Sequence, residues 1–374
     1  MTETIYRSGL EGVIAGDTTI GSVKQDGLAY RGYTIEDLAE NSTFEETAYL
    51  LLHDDLPTQA QLDEFNKALM GFRALPGPVI DAMRSIPKDV SMMDVLRTMV
   101  SMAGHFDPVS GDSADDLRRR STWLMAVIAG IIAARYRLLN DKDPVDPKAG
   151  LSHAGQILYQ CHGSDPDATS TRLLDLTLIL YAEHEFNAST FAARIIASTL
   201  SDMVSAVVGG IGALKGPLHG GANERAMALL KQFKNAEEAS AWVQDALARK
   251  EKVMGFGHRV YKKGDHRAYI LEAEMRKLAE QKGQMHWVEI YDAIKTPIVT
   301  KERPIYPNVD YPCGLTYFLM DLPLDLYTPL FVASRITGWC AHIIEQAGDN
   351  RIYRPLSRYT GPDERKVVPI DKRG

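Results

Sequence analysis

The chain has 374 residues, 45% hydrophobic and 24% charged, with a formal net charge of −7. That length allows a sizeable core shared between two domains, and the acidic balance argues against a general nucleic-acid binder while leaving local basic patches free to meet a small anion. Cys161, Cys313 and Cys340 are widely spaced and form no Cys-x-x-Cys pair, so neither a disulfide framework nor a zinc cage is indicated and a reducing cytoplasm fits best.

The N-terminus, Met1 to Arg7, lacks the apolar stretch of a targeting peptide. From Gly12 to Tyr33 short apolar pieces alternate with Gly and Asp and predict a small β-hairpin region. Capping signatures then recur, Thr34 with Asp37, Thr43 with Glu46, Thr58 with Gln61 and Ser91 with Asp94, each beside helical apolar spacing. Asp107 to Asp116 reads as a surface loop ahead of a helix around Trp123 to Leu139, whose apolar run, Trp123 to Ala134, is too short to span a bilayer and fits a core helix. Thr171 to His184 predicts a central helix, followed by one capped by Asn187 or Ser189 that runs to Val208. Further helices are expected at Asn223 to Phe233, Ala236 to Lys250 and Arg267 to Lys282. The pattern is irregular from Trp287 to Tyr306, and two apolar helices follow, around Leu315 to Met320 and Leu326 to Glu345. The expected fold is all-α, with a smaller domain, 220–315, inserted into a larger one made by 1–219 and 316–374.

Three polar stretches carry candidate chemistry. Val253 to Arg267 packs glycines, histidines and basic residues between two helical patterns: Gly255 and Gly257 let a ligand approach the backbone, His258 can polarise or protonate an oxygen, and Lys262, Lys263 and Arg267 offer positive charge. His219 precedes a helix, where the positive end of the dipole favours a neutral imidazole able to donate one hydrogen bond; a packed turn histidine reads the sequence equally well. Asp310, flanked by prolines and just before an apolar helix, suits either a partly buried general base, oriented by Asn308, or a simple N-cap. Arg335 lies inside an apolar helix, where a guanidinium needs an anionic partner, whereas Arg354, before Pro355 in a turn, also fits a solvated surface. The histidines show no metal-ligand spacing, so no metal is expected.

Gly216-Pro-Leu-His-Gly-Gly-Ala-Asn-Glu224, Gly255-Phe-Gly-His-Arg-Val-Tyr-Lys262 and Tyr306-Pro-Asn-Val-Asp310 resemble, in order and separation, the three signature segments of the citrate synthase family. Tyr30-Arg-Gly-Tyr-Thr-Ile-Glu-Asp-Leu38, His184-Glu-Phe-Asn-Ala-Ser189 and Ser334-Arg-Ile-Thr-Gly-Trp339 with Arg354-Pro355 extend the likeness over nearly the whole chain. The resemblance implies a two-domain helical homodimer that closes over oxaloacetate and acetyl-CoA without metal or cofactor. Within it, His219, His258 and Asp310 are the expected catalytic residues, and His184, Arg267, Arg335 and Arg354 hold oxaloacetate, Arg354 from the partner subunit. Gly255, Phe256, Gly257 and Lys262 meet the coenzyme. It also implies a chain that starts at the shared core, without the N-terminal regulatory domain of one branch. Two departures stand out. His266 replaces the usual proline between Asp265 and Arg267, which is expected to loosen Arg267, and Cys313 replaces a small hydroxyl residue, which is expected to alter the acyl path. A 2-methylcitrate synthase using propionyl-CoA and a non-catalytic CoA-binding or assembly protein are the alternatives.

Overall fold

The structure, a computed structural model, describes residues 6–24, 27–258, 260–300 and 304–373; Arg259 of the second signature segment lies outside them. Among the described residues are sixteen α-helices and one three-stranded sheet. The sheet is an antiparallel meander, β1 (Gly21–Lys24), β2 (Gly27–Tyr30) and β3 (Tyr33–Thr34), with Gly21 opposite Tyr30 and Tyr30 opposite Tyr33. It is shorter than the predicted hairpin region. Tyr30 is fully buried and donates its hydroxyl to the carbonyl of Ile179 at 3.1 Å, which pins the sheet to the helical body.

The predicted caps open helices α1 (Ile35–Asn41), α2 (Phe44–His53) and α3 (Gln59–Gly71), where Thr34, Thr43 and Thr58 accept backbone N–H bonds from Asp37, Glu46 and Gln61. Helix α4 (Gly77–Ser85) instead starts behind Pro76, and α5 (Met92–Ala103) starts at the Ser91 cap. Helix α6 (Ala114–Leu139) begins well before Trp123, because Ser113 and Asp116 form a capping box inside the stretch expected to be loop. Its residues from Arg120 to Arg135 are all buried. By length and composition alone α6 could cross a membrane, but here α2, α3, α5 and later helices enclose it.

Helices α7 (His153–His162) and α8 (Ala168–Tyr181) follow, and α8 ends three residues before His184 rather than on it. The single helix expected through Val208 is two, α9 (Ala188–Ser198) and α10 (Met203–Leu214): Leu200 takes a left-handed φ of 64° and Asp202 caps a fresh start. Asn187, not Ser189, caps α9. After α11 (Ala222–Leu230), α12 (Ala236–Ala248) and α13 (His266–Gln281) comes α14 (Met285–Ile298), in the stretch read as irregular. Val288, Ile290, Tyr291 and Ile294 of α14 are buried, and the helix packs on α12; Pro297 in its last turn hid the pattern. Helices α15 (Asp310–Leu319) and α16 (Tyr327–Gly348) complete the bundle. Helix α16 is buried almost continuously from Tyr327 to Ile343 and touches α2, α5, α6, α8, α9, α10 and α11, so side chains on it address the middle of the molecule.

Candidate active site

Two loops build the base of the site by pairing with each other. Phe256 bridges Pro307 in antiparallel fashion, Gly257 N–H donates to the Tyr306 carbonyl at 2.8 Å, and Asn308 N–H donates to the Gly255 carbonyl at 2.9 Å. Gly255 has a φ of 84°, and a Cβ there would lie 2.8 Å from Cβ of Tyr311, so only glycine fits. Asn308 clasps the pair: its Nδ2 donates to the Gly257 carbonyl at 3.0 Å, and its Oδ1 accepts the Asp310 N–H at 3.1 Å.

This pairing sets Asp310 as the first residue of α15. Its carboxyl is not an N-cap, a position held by Val309; Oδ1 instead accepts the Tyr181 hydroxyl at 2.7 Å. Burial pushes the carboxyl up to about 6, against the opposing pull of the Tyr181 hydrogen bond and the Arg267 charge. A carboxylate that ionises just below neutrality can take a proton and give it back.

The imidazoles are held neutral. His258 Nδ1 accepts the N–H groups of Val260 (3.1 Å) and Tyr261 (3.2 Å), which leaves Nε2 to carry the proton and act as donor. Burial, with help from Arg267, lowers its pKa to about 4. His219 is half-buried in the turn before α11, its Nε2 3.3 Å from the Ser189 N–H and 2.8 Å from Ser189 Oγ, so Nδ1 is the free donor. Its pKa is also lowered to about 4, by burial and then Arg335. His184 stands edge-on to His258 with ring centroids 5.1 Å apart, and its Nε2 lies 3.1 Å from the Tyr261 hydroxyl. Burial, then Arg267 and His258, holds it well below the ordinary range. Its turn is tied down from behind, with buried His342 3.0 Å from Glu183.

The arginines divide. Arg335 is 2% exposed; its Nε donates to the Tyr181 carbonyl at 2.7 Å, and its guanidinium lies over Phe331. Its two terminal nitrogens have no hydrogen-bond partner among the described residues and are not sealed from solvent. Burial lowers its pKa, the signature of a cation without a full counter-charge. Arg267 is buried too but paired, giving Nε and a terminal nitrogen to Asp265 at 3.0 and 2.9 Å. The expected loosening by His266 does not occur: that ring contacts Glu36 of α1, and Asp265 locks Arg267 and also accepts the Val309 N–H at 3.0 Å. Cys313 is fully buried in α15.

Three expected residues stand apart. Arg354 is exposed on the C-terminal tail, which is anchored through Tyr353 N–H to Ser198 Oγ at 3.1 Å, and it joins no part of this cluster within one chain. Phe256 is buried against Tyr311, so only its backbone can face a ligand, and Lys262 curls back to the His258 carbonyl at 3.1 Å. Two participants escaped the sequence reading. Asp265 left a faint signal as an acid just ahead of a helix, whereas Tyr181 left none. Among the described residues no three His, Cys, Asp or Glu side chains gather as a metal site.

The domain described as "Citrate synthase, C-terminal domain" matches residues 9–356. The chain is 44% identical to 2-methylcitrate synthase 2 of Corynebacterium glutamicum, covering 100% of this chain and 99% of that one. It is 42% identical to the citrate synthase of Mycolicibacterium smegmatis, over 96% of each. Among solved structures it is similar to the citrate synthase of Thermoplasma acidophilum in ternary complex with carboxymethyl coenzyme A and oxaloacetate, with a TM-score of 0.92, 34% identity and coverage of 98% of this chain and 99% of that one. The citrate synthase of Thermotoga maritima superposes with a TM-score of 0.88 at 38% identity, over 99% of this chain and 100% of that one.

Proposed function

The chain belongs to the citrate synthase family and is an acyltransferase of that family, and from this premise we propose that it condenses acetyl-CoA with oxaloacetate through His219, His258 and Asp310. Asp310 takes a proton from the acetyl methyl while the Nδ1–H of His219 bonds the thioester oxygen, so charge never rests on carbon alone. The enol carbon attacks the ketone of oxaloacetate, and the Nε2–H of His258 passes to the new alkoxide. Water then cleaves the citryl thioester: its hydroxyl adds to the acyl carbon while its proton returns to His258, and the proton held by Asp310 goes to the departing sulfur, so that citrate and the CoA thiol leave and every group is restored. The observation that carries this reading is the presence of a carboxyl poised near 6 and two imidazoles kept neutral, with a guanidinium whose two outer nitrogens bond none of the described residues.

In this proposal Arg335, Arg267 and His184 hold oxaloacetate, and Asn308 orients the base. The backbone at Gly255, Phe256 and Gly257, with Lys262, receives the coenzyme. Residues 220–315 close over the larger body formed by 1–219 and 316–374, excluding water until the carbon–carbon bond exists. Ile352, Leu356, Tyr359 and Ile370 on the tail are exposed, a surface suited to a second copy, so the working unit is a homodimer in which Arg354 of the partner subunit completes the carboxylate clamp. Three buried free thiols fit a cytoplasmic setting. No metal or other cofactor takes part.

Propionyl-CoA is the second candidate acyl donor, because relatives named 2-methylcitrate synthase, at 44% and 43% identity, lie as near as those named citrate synthase, at 42%. One methylene in an apolar pocket is worth only ~1–3 kcal/mol. Thiol release from acetyl-CoA and propionyl-CoA, with oxaloacetate present, decides between them through kcat/KM: a preference for propionyl-CoA displaces the first reading, and no release from either rejects both.

A further inference from the structure

The side chain in direct contact with the proposed base is one that the catalytic scheme leaves unused. Tyr181 closes α8, is 1% exposed, and bonds at both ends: its hydroxyl donates to Asp310 Oδ1 at 2.7 Å and its carbonyl accepts from Arg335 Nε at 2.7 Å. Its ring packs against Phe331, with centroids 4.4 Å apart, so the phenol has little freedom to swing away. No hydrogen bond reaches Asp310 Oδ2 from the described residues. One carboxyl oxygen is therefore occupied and the other is available.

Resting on the assignment of Asp310 as base, we infer that Tyr181 is a positioning residue: by holding Oδ1 it presents Oδ2 to the acyl carbon, and through its carbonyl it sets Arg335 from the same residue. On the proposed division of the chain the bond crosses the cleft, from 1–219 to 220–315, so closing the lobes is what assembles the base. The groups facing the carboxyl are Tyr181 from α8, Asp265 and Arg267 at the start of α13, Arg335 from α16 and Cys313 on its own helix. Tyr181, Arg267 and Arg335 favour the ionised form while burial and Asp265 oppose it. Removing the hydroxyl leaves the two arginines in place and tips the balance toward the protonated acid.

The test is Tyr181→Phe in the full-length enzyme, read as a pH profile of kcat/KM for the acyl-CoA. A hydrogen bond to a charged group is strong enough to move the acid limb upward by about one to two pH units. Activity is expected to fall about tenfold at pH 6 and to recover toward the wild-type level by pH 9, with the KM for oxaloacetate within about threefold, since Arg335 bonds backbone. Tyr317→Phe, which removes a buried hydroxyl bonded to Thr177 at 3.1 Å, is expected to leave the limb in place. Installing 3-fluorotyrosine at position 181 keeps the packing and strengthens the donor, so the limb moves to lower pH even if the phenylalanine variant does not fold. A wild-type profile in Tyr181→Phe, no movement with fluorotyrosine, or a pH-independent loss shared by Tyr317→Phe overturns the inference. Asp310→Asn separates the two levels: activity surviving there removes the base assignment itself, whereas an inactive Asp310→Asn beside an unchanged Tyr181→Phe removes only the role given to Tyr181.

Discussion

Asp310→Asn is expected to stabilise the protein while abolishing the reaction, because the enclosure that tunes the carboxyl also penalises its charge. A carboxyl raised from 3.8 to about 6 corresponds to about 3 kcal/mol, at about 1.36 kcal/mol per pH unit. The proton is held more tightly in the folded state than in the unfolded one. The penalty is therefore absent below about pH 4, grows between pH 4 and 6, and is fully present above pH 6. Asparagine has nearly the same shape, keeps an oxygen for the Tyr181 hydroxyl and carries no charge. At roughly 2.1 cal/mol/K of unfolding entropy per residue, 3 kcal/mol raises the Tm of a chain this long by about 4 °C. Calorimetry of both proteins at pH 7.5 and at successively lower pH reads the effect directly, with the two melting curves converging toward pH 4. In the same preparation condensation falls by about a thousandfold or more. A variant that melts no higher than wild type at pH 7.5, or a gain that does not shrink on acidification, refutes the claim that burial raises this carboxyl.

Arg335→Met replaces a guanidinium whose two outer nitrogens bond none of the described residues by an apolar chain. Two charge-assisted hydrogen bonds lost at ~1.5–3 kcal/mol each weaken oxaloacetate binding by about 10²–10⁴-fold in a calorimetric titration without acyl-CoA. Less than tenfold weakening means that no carboxylate meets this residue. His258→Ala is expected to lower kcat about 10²–10⁴-fold and to leave oxaloacetate affinity within a few-fold, and a change confined to affinity contradicts its role at the ketone oxygen. Gly255→Ala and Gly257→Ala both force a side chain to a positive φ, near 84° and 79°, but only the first brings Cβ to 2.8 Å from Tyr311, whereas the nearest atom at Gly257 is 3.5 Å away. Urea unfolding should show a cost of about 2–5 kcal/mol at Gly255 against about 1–2 at Gly257. Equal costs would mean that the close approach of the loops does not limit the site.

Helical class and the cap positions were legible because they depend on neighbours in the chain: Thr43 and Glu46, or Thr58 and Gln61, close their capping boxes within one turn. Local reading failed where distant contacts outweigh it. Pro297 disguised α14, which persists because its apolar face is buried against α12, and Leu200 divides a run that looked like one helix. His266 looked like a weakness beside Arg267 until Glu36, far off in the chain, proved to hold it.

The candidate site divides along the same line. Residue type and spacing marked His219, His258, Asp310 and Arg335 as candidates, but they read His219 equally as a packed turn histidine and Asp310 as an N-cap, and the family resemblance supplied their expected roles. A neutral His219 was already expected from its place before a helix, whereas the protonation states of Asp310 and His258 depend on the fold. Burial lifts Asp310 to about 6 against the pull of Arg267 and Arg335, and burial with Arg335 at His219 and with Arg267 at His258 lowers the two histidines to about 4; that burial comes from helices far apart in the sequence. The bond from Tyr181 to Asp310 joins residues 129 positions apart, a pairing that no local pattern encodes and that packing alone creates.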